Sequence, residues 1–343
     1  CLYFIFASGF QIGEAMSKHG MKRLWAAAFL LTAAIIITGS GYNRIKTRTS
    51  DTENSKIPPS SKEAVLNLET RGKNKIQAGN RETMNRLAVT ENGSIIFSME
   101  KGPSENQEDF EEWYITSPYK NKQLVNVSDL YAFLEHYAAW NYLNQAENVE
   151  FRDSGLAVEE SFTDSGTVRF LIGQKNKKGN YYVKEERTGR LYEIDGTQTE
   201  AMTGLRPYDF IMGIANLVYL TTVDKLEIRT QETAAVFLVE TDEDRNQVFI
   251  KEGQVLEEDG FKKMYSSIIS IVAAKEAEDS TASGQPVLQL SFSRNTDKLK
   301  NTQISYIPYN EEYYLIIKDG QSDFLAEKSA VDDVIAVIDE YCR

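Results

Sequence analysis

From residue 85 onward, apolar and polar positions change over in short runs, and four stretches read as helices. Leu87-Ala88-Val89 and Ile95-Ile96-Phe97 flank Asn92-Gly93. An Asn-Gly pair supplies the positive φ of a tight turn, so these segments predict a β-hairpin. Trp113-Tyr114-Ile115 predicts another strand, followed by a turn at Pro118 and 120–123. Leu130, Phe133, Leu134, Tyr137 and Ala138 then lie three and four residues apart. That spacing predicts an amphipathic helix over 129–145, capped by Asn126 or Ser128. Strands at 168–172, 181–184 and 190–194, and a helix over 208–220, complete a first module.

The same order returns downstream. Strands are expected at 226–228, 235–239 and 247–250, then a helix over 259–275. Strands follow at 287–292, 304–307, 313–317 and 324–326, and a last helix over 330–341. Ser329 is expected to cap that helix, with Asp332 and Asp333 near its positive end. Two details carry the repeat. Tyr181-Tyr182 is followed by Tyr192, and Tyr313-Tyr314 by Phe324, at the same interval. The apolar helix positions Leu130, Phe133, Leu134, Tyr137 and Ala138 map at constant offset onto Phe261, Met264, Tyr265, Ile268 and Ile269. Hairpin-linked strands broken by single helices predict an α+β fold of antiparallel sheets. Its two tandem repeated modules span 85–222 and 223–343, and they are expected to pack together.

The N-terminal part is patterned differently. Residues 24–42 carry no charge and lie just after Met21-Lys22-Arg23. A helix of about 20 apolar residues crosses the hydrocarbon layer, so this stretch is expected to be an uncleaved, single-pass transmembrane anchor. Its rival, a cleaved export signal, would leave only the weak site Thr38-Gly39-Ser40-Gly41. Residues 1–20 read as a non-native or fragment extension; a lipoprotein start at Cys1 fits poorly with the apolar Leu2-Tyr3-Phe4 that follows. Residues 43–84 read as a flexible linker, too polar to bury much surface. The body is expected outside the cytoplasm.

Composition narrows the chemistry. The 343-residue chain has a net charge of -13, which makes nucleic acid a poor partner. Its two cysteines, Cys1 and Cys342, allow no disulfide framework or thiolate metal site. His19 and His136 are the two histidines, and His19 precedes the anchor. A paired-imidazole metal site and a Ser-His-acid triad are thereby excluded from the body. Glu111-Glu112, Glu159-Glu160 and Glu311-Glu312 read as solvated turn charges, and His136 as a surface residue. Asp242, Asp244 and Asn246 start like a calcium loop, but Gln247 and Gly253 break the pattern, leaving a turn. Phosphate-loop motifs are lacking. Tyr181-Tyr182 and Tyr313-Tyr314 are candidates to line a sugar or peptide surface, with half of each pair in the core. No catalytic, cofactor-binding or metal-binding residue is assigned, and no cofactor is expected.

An ordered set of segments resembles the bacterial family called domain of unknown function 4340. The set comprises the N-terminal apolar helix, Trp113-Tyr114-Ile115-Thr116 with Pro118, the amphipathic helix, and Ser154-Gly155-Leu156. Phe170-Leu171-Ile172-Gly173, Gly179-Asn180-Tyr181-Tyr182-Val183 and Leu191-Tyr192-Glu193-Ile194 complete it. The resemblance covers about 85–341, and the second module lacks the glycine-leucine signal after its helix. It implies a membrane-anchored extracytoplasmic protein, of a kind often accompanying ABC transporters of the gliding-motility auxiliary type. It brings no established activity and no catalytic residues. The expected function is a non-enzymatic accessory or binding protein, with ABC transporter subunits as possible partners beside the membrane. The alternatives are an extracytoplasmic carboxylate-dependent glycan hydrolase and a structural spacer.

Overall fold

The computed structural model describes residues 74–343, apart from 77–78, 80, 108–109, 138–139, 243–245, 279–281 and 298. The expected extension, the anchor at 24–42 and the linker up to residue 73 lie outside the described residues. Among the described residues no helix is long and apolar enough to cross a membrane.

The class is α+β, with two antiparallel sheets and four α-helices among the described residues. The first sheet is built from β1 (Asn74–Ile76), β2 (Met84–Glu91), β3 (Ser94–Pro103), β4 (Glu111–Ser117) and β5 (Gln123–Leu124). It continues through β6 (Trp140–Gln145), β7 (Asp153–Phe162), β8 (Gly166–Lys175), β9 (Tyr181–Glu185) and β10 (Leu191–Ile194). Helix α1 (Val127–Tyr137) precedes β6, and α2 (Gly196–Thr203) follows β10. The second sheet holds β11 (Val223–Arg229), β12 (Ala234–Thr241), β13 (Gln247–Lys251), β14 (Gln254–Val255) and β15 (Lys275–Glu276). It ends with β16 (Leu288–Arg294), β17 (Asn301–Pro308), β18 (Tyr313–Lys318) and β19 (Gln321–Glu327). Helix α3 (Glu258–Ile269) separates β14 from β15, and α4 (Lys328–Cys342) closes the chain.

The two strand orders coincide. The first runs β6-β10-β9-β8-β7-β2-β3-β4-β5, with β1 added outside β6; the second runs β15-β19-β18-β17-β16-β11-β12-β13-β14. Each helix that follows the fourth hairpin strand lies at the matching place, α1 starting at Val127 and α3 at Glu258. In α3, Phe261, Met264, Tyr265 and Ile268 are all buried, the i, i+3, i+4, i+7 face that a helix lays on a sheet. Phe261 stacks on Phe249 of β13 at 4.3 Å between ring centroids. Burying a ring of this size contributes about 2–3 kcal/mol.

Several boundaries differ from the sequence reading, each for a local reason. The helix expected over 129–145 ends at Tyr137, because Trp140–Gln145 pairs as strand β6 with β10 and β1. Aromatic Trp140 and Tyr142 favour that pleated setting. Helix α3 stops at Ile269 rather than 275, and Ser270 caps it. The last helix begins at Lys328, with Glu327 at the cap position and no side-chain cap; Ser329 lies inside its first turn. The end of the expected 43–84 linker also belongs to the fold: Ile76 is 6% exposed and Met84 1% exposed, both in the first core. Strand β7 was hidden by its charges, discussed below.

The expected helix over 208–220 is absent. A 3₁₀ turn spans Pro207–Phe210, and another Leu220–Thr222. Between them the chain has no helix: residues 210–215 are bonded on both sides, and a turn follows at Ala215-Asn216. Met212 N donates to Leu124 O at 2.8 Å, and Asn126 N donates to Phe210 O at 2.7 Å. Ala215 N donates to Ile271 O at 2.9 Å, and Ala273 N donates to Gly213 O at 2.7 Å. Apolar residues needed on both sides of such a ribbon imitate a helical spacing. Phe210 enters the first core and Val218 the second, while Ile211 packs against both. The connection is therefore bonded beside β5 on one side and, through an isolated bridge, to the segment after α3 on the other.

The Asn92-Gly93 turn forms as expected, with φ of 49° and 82°. It also explains Gly155. This residue has φ +86°, and a Cβ on it would lie 2.3 Å from Asn92 Oδ1. Its carbonyl accepts Asn92 N at 2.7 Å. Gly155→Ala is expected to cost about 2 kcal/mol or more, through left-handed backbone strain and displacement of the Asn92 side chain. A melting temperature within one degree of the parent would contradict this.

Candidate functional site

Polar side chains converge at the seam between the two sheets, where two clasps form. The first grows from the turn after β4. Asp323 at the start of β19 accepts Lys120 N at 3.1 and 3.2 Å and Asn121 N at 3.3 Å. Asn121 Nδ2 donates to Lys318 O at 2.8 Å. Tyr119 OH donates to Glu276 Oε1 at 2.7 Å, and its ring lies 4.8 Å from that of Phe324. Burial, then the Glu276 hydrogen bond, raises the Tyr119 phenol far above its ordinary value, so it stays a donor. Tyr119 packs against both hydrophobic cores.

The second clasp is Arg294. Leu288, Leu290 and Phe292 put alternate residues of β16 into the core, and the next inward position is Arg294, 6% exposed. Its Nη2 donates to Glu105 O at 2.6 Å, Asn106 Oδ1 at 2.8 Å and Thr222 Oγ1 at 3.0 Å; Nε reaches Thr222 Oγ1 at 3.2 Å. The guanidinium makes no ion pair among the described residues. Burial lowers its pKa, and the nearby Glu105 opposes that shift. Glu105 itself pairs with Lys122 at 3.1 Å, and the Lys122 ammonium lies 4.0 Å from the Tyr114 ring centroid. Tyr114 OH donates to Glu112 at 2.9 Å and accepts Glu105 N at 3.0 Å.

A cavity of about 60 Å³ opens among Glu105, Tyr114, Lys122, Ala215 and Phe324. That space suits a few waters and is far below the several hundred Å³ of a ligand pocket. Against the second core, Asn216 is fully buried; its amide donates to Ile268 O and its carbonyl accepts Tyr306 OH at 2.6 Å.

The carboxylate pairs separate once placed. Glu159 and Glu160 are neither in a turn nor both solvated; they sit in mid-strand on β7 and face opposite sides. Glu159 faces outward, with Arg86 Nη1 at 3.1 Å; Arg169 Nε lies at 3.3 Å but without the alignment of a hydrogen bond. Glu160 faces inward, fully buried, and its Oε1 accepts the Trp140 indole N–H at 2.9 Å. Its Oε2 has no partner among the described residues. Burial pushes its pKa up to about 8, with the Trp140 hydrogen bond pulling the other way. With its pKa raised in this way, the buried side chain favours the protonated acid near neutrality.

Other candidates are dispersed. Glu111 is exposed, whereas Glu112 is tied to Tyr114. Glu311 and Glu312 are exposed beside Asn310, whose Oδ1 accepts the Glu312 and Tyr313 amides. Asp242 accepts both the backbone and side-chain amide of Asn246, as a turn would; Asp244 lies outside the described residues. His136 is on α1, but its side chain lies outside the described residues. The tyrosine pairs do not share one surface, since each belongs to its own sheet. Tyr314 is 7% exposed and donates to Asp332, while Tyr313, Tyr181 and Tyr182 are half-buried. Among the described residues no group of three His, Cys, Asp or Glu side chains could hold a metal ion.

The sequence reading does not single out Arg294 and takes Glu160 for a solvated turn charge, yet both carry a signal. Each is a charge at the next inward position of an otherwise alternating apolar strand face. The chain matches no family model, no curated protein and no solved structure.

Proposed function

We propose that this chain is a membrane-anchored, extracytoplasmic accessory or binding protein that works beside a membrane complex, with ABC transporter subunits as its partners. The supporting observation is the seam. Its convergent polar groups, Arg294, Asp323 and Tyr119, are engaged in joining the two sheets. A rigid double module on a tether presents surface rather than a reaction centre. The glycan-hydrolase alternative asks for two carboxylates facing one pocket, one with a raised pKa. Glu160 has the raised pKa but is walled in, and its neighbour Glu159 faces the other side of the sheet.

The test is co-purification of the intact chain from membranes in mild detergent. Permease or ATP-binding subunits of an ABC transporter are expected to accompany it in constant ratio. Recovery of the intact chain from the soluble fraction, or from membranes without those subunits, would overturn the reading.

A further inference from the structure

A groove of about 390 Å³ lies on the first sheet, remote in sequence from the seam residues, between the loop after β6 and the β9–β10 hairpin. The volume falls in the range of small-molecule sites. Half-buried Val149, Phe151 and Leu191 form its apolar wall. Phe151 is held in place from two directions. Its ring occupies the space over Gly173, where a Cβ would lie 2.5 Å away. Gln174 on β8 brackets the loop, donating to Glu150 O at 2.7 Å and accepting Arg152 N at 2.9 Å. The wall is therefore preorganised, which lowers the entropic cost of binding.

Two cations border this wall. Lys184 Nζ lies 5.8 Å from the Phe151 ring centroid, and Arg190 projects from the hairpin. Neither makes an ion pair among the described residues, so both charges face the groove uncompensated by a partner carboxylate. Glu147 on the same rim leaves one net positive charge. A fixed apolar wall beside one net positive charge fits a monoanion with an apolar body and disfavours polyanions. We propose that this groove binds a carboxylate carried on an apolar group, of the kind found at the C-terminus of a peptide ending in an apolar residue.

The site is independent of the transporter reading, and its failure would leave the co-purification result untouched. The experiment uses the full chain in mild detergent and saturation-transfer NMR with three probes: N-acetyl-phenylalanine, its neutral amide, and inorganic phosphate. The acid is expected to bind about tenfold more tightly than the amide, from two half-screened charge contacts. Phosphate is expected not to displace it. The Lys184→Gln/Arg190→Gln double variant should lose that tenfold preference while binding the amide as before, with an unchanged melting temperature. Equal binding of acid and amide, displacement by phosphate, or an acid preference that survives the double variant would each overturn the proposal.

Discussion

Replacing Glu160 with glutamine should abolish a steep loss of stability between pH 5 and pH 8. In the parent protein this carboxyl has a folded pKa of about 8, against 4.5 for the free side chain. The direction follows from which state binds the proton. Below the unfolded value both states are protonated, and the group costs nothing. Between the two values the unfolded chain ionises while the folded chain does not, so stability falls as pH rises, by at most about 1.4 kcal/mol per pH unit. Above about 8 both states are ionised, and the loss is complete.

Glutamine is neutral throughout and keeps an oxygen for the Trp140 N–H. Urea denaturation at pH 5.5 and 7.5 should therefore show the parent losing roughly 3 kcal/mol more than Glu160→Gln over that interval. Other titrating groups, His136 among them, are common to both proteins and cancel in the difference. Equal slopes for the two proteins would show that Glu160 is solvated or paired in the folded state. Glu160→Leu distinguishes a further point. It removes the pH dependence as well but leaves the Trp140 N–H without an acceptor, at a cost of about 1–3 kcal/mol at every pH.

The sequence was most readable where local chemistry alone decides the backbone. Asn92-Gly93 adopts positive φ whatever surrounds it, and the hairpin appears where expected. The amphipathic faces of α1 and α3 were readable because one side of each meets a sheet and the other meets water. Legibility failed wherever a segment is buried on both sides or carries charge inward. In the 210–218 connection Phe210 serves the first core, Val218 the second and Ile211 both, so its apolar positions lack the alternation of a one-sided strand. Strand β7 carries Glu159 and Glu160 together, which suggests a solvated turn until Val158, Glu160 and Phe162 are seen as one inward face. The clasps were unreadable for another reason. Asp323 meets Lys120 across some two hundred residues, and no local pattern encodes which turn finds which carboxylate.

The seam yields the second large effect. Arg294→Met keeps an apolar stem in the core and removes every N–H donor. Glu105 O, Asn106 Oδ1 and Thr222 Oγ1 then lose their charged partner. Hydrogen bonds to a charged donor contribute about 1.5–3 kcal/mol each, but relief of the buried guanidinium's desolvation offsets part of the loss. The expected net destabilisation is about 3 kcal/mol. The informative readout is where that loss appears. Trp113 and Trp140 are both buried in the first sheet, whereas Arg294 is on the second. If the shared ribbon and two clasps make one cooperative body, the tryptophan fluorescence midpoint must fall with the circular dichroism midpoint. A variant whose dichroism midpoint drops while its tryptophan signal keeps the parent midpoint would mean that the sheets unfold separately. Adding Asp323→Ala, which opens the other clasp, should lower both midpoints further and broaden the transition. The two substitutions should not be additive, because each clasp holds the geometry that the other requires.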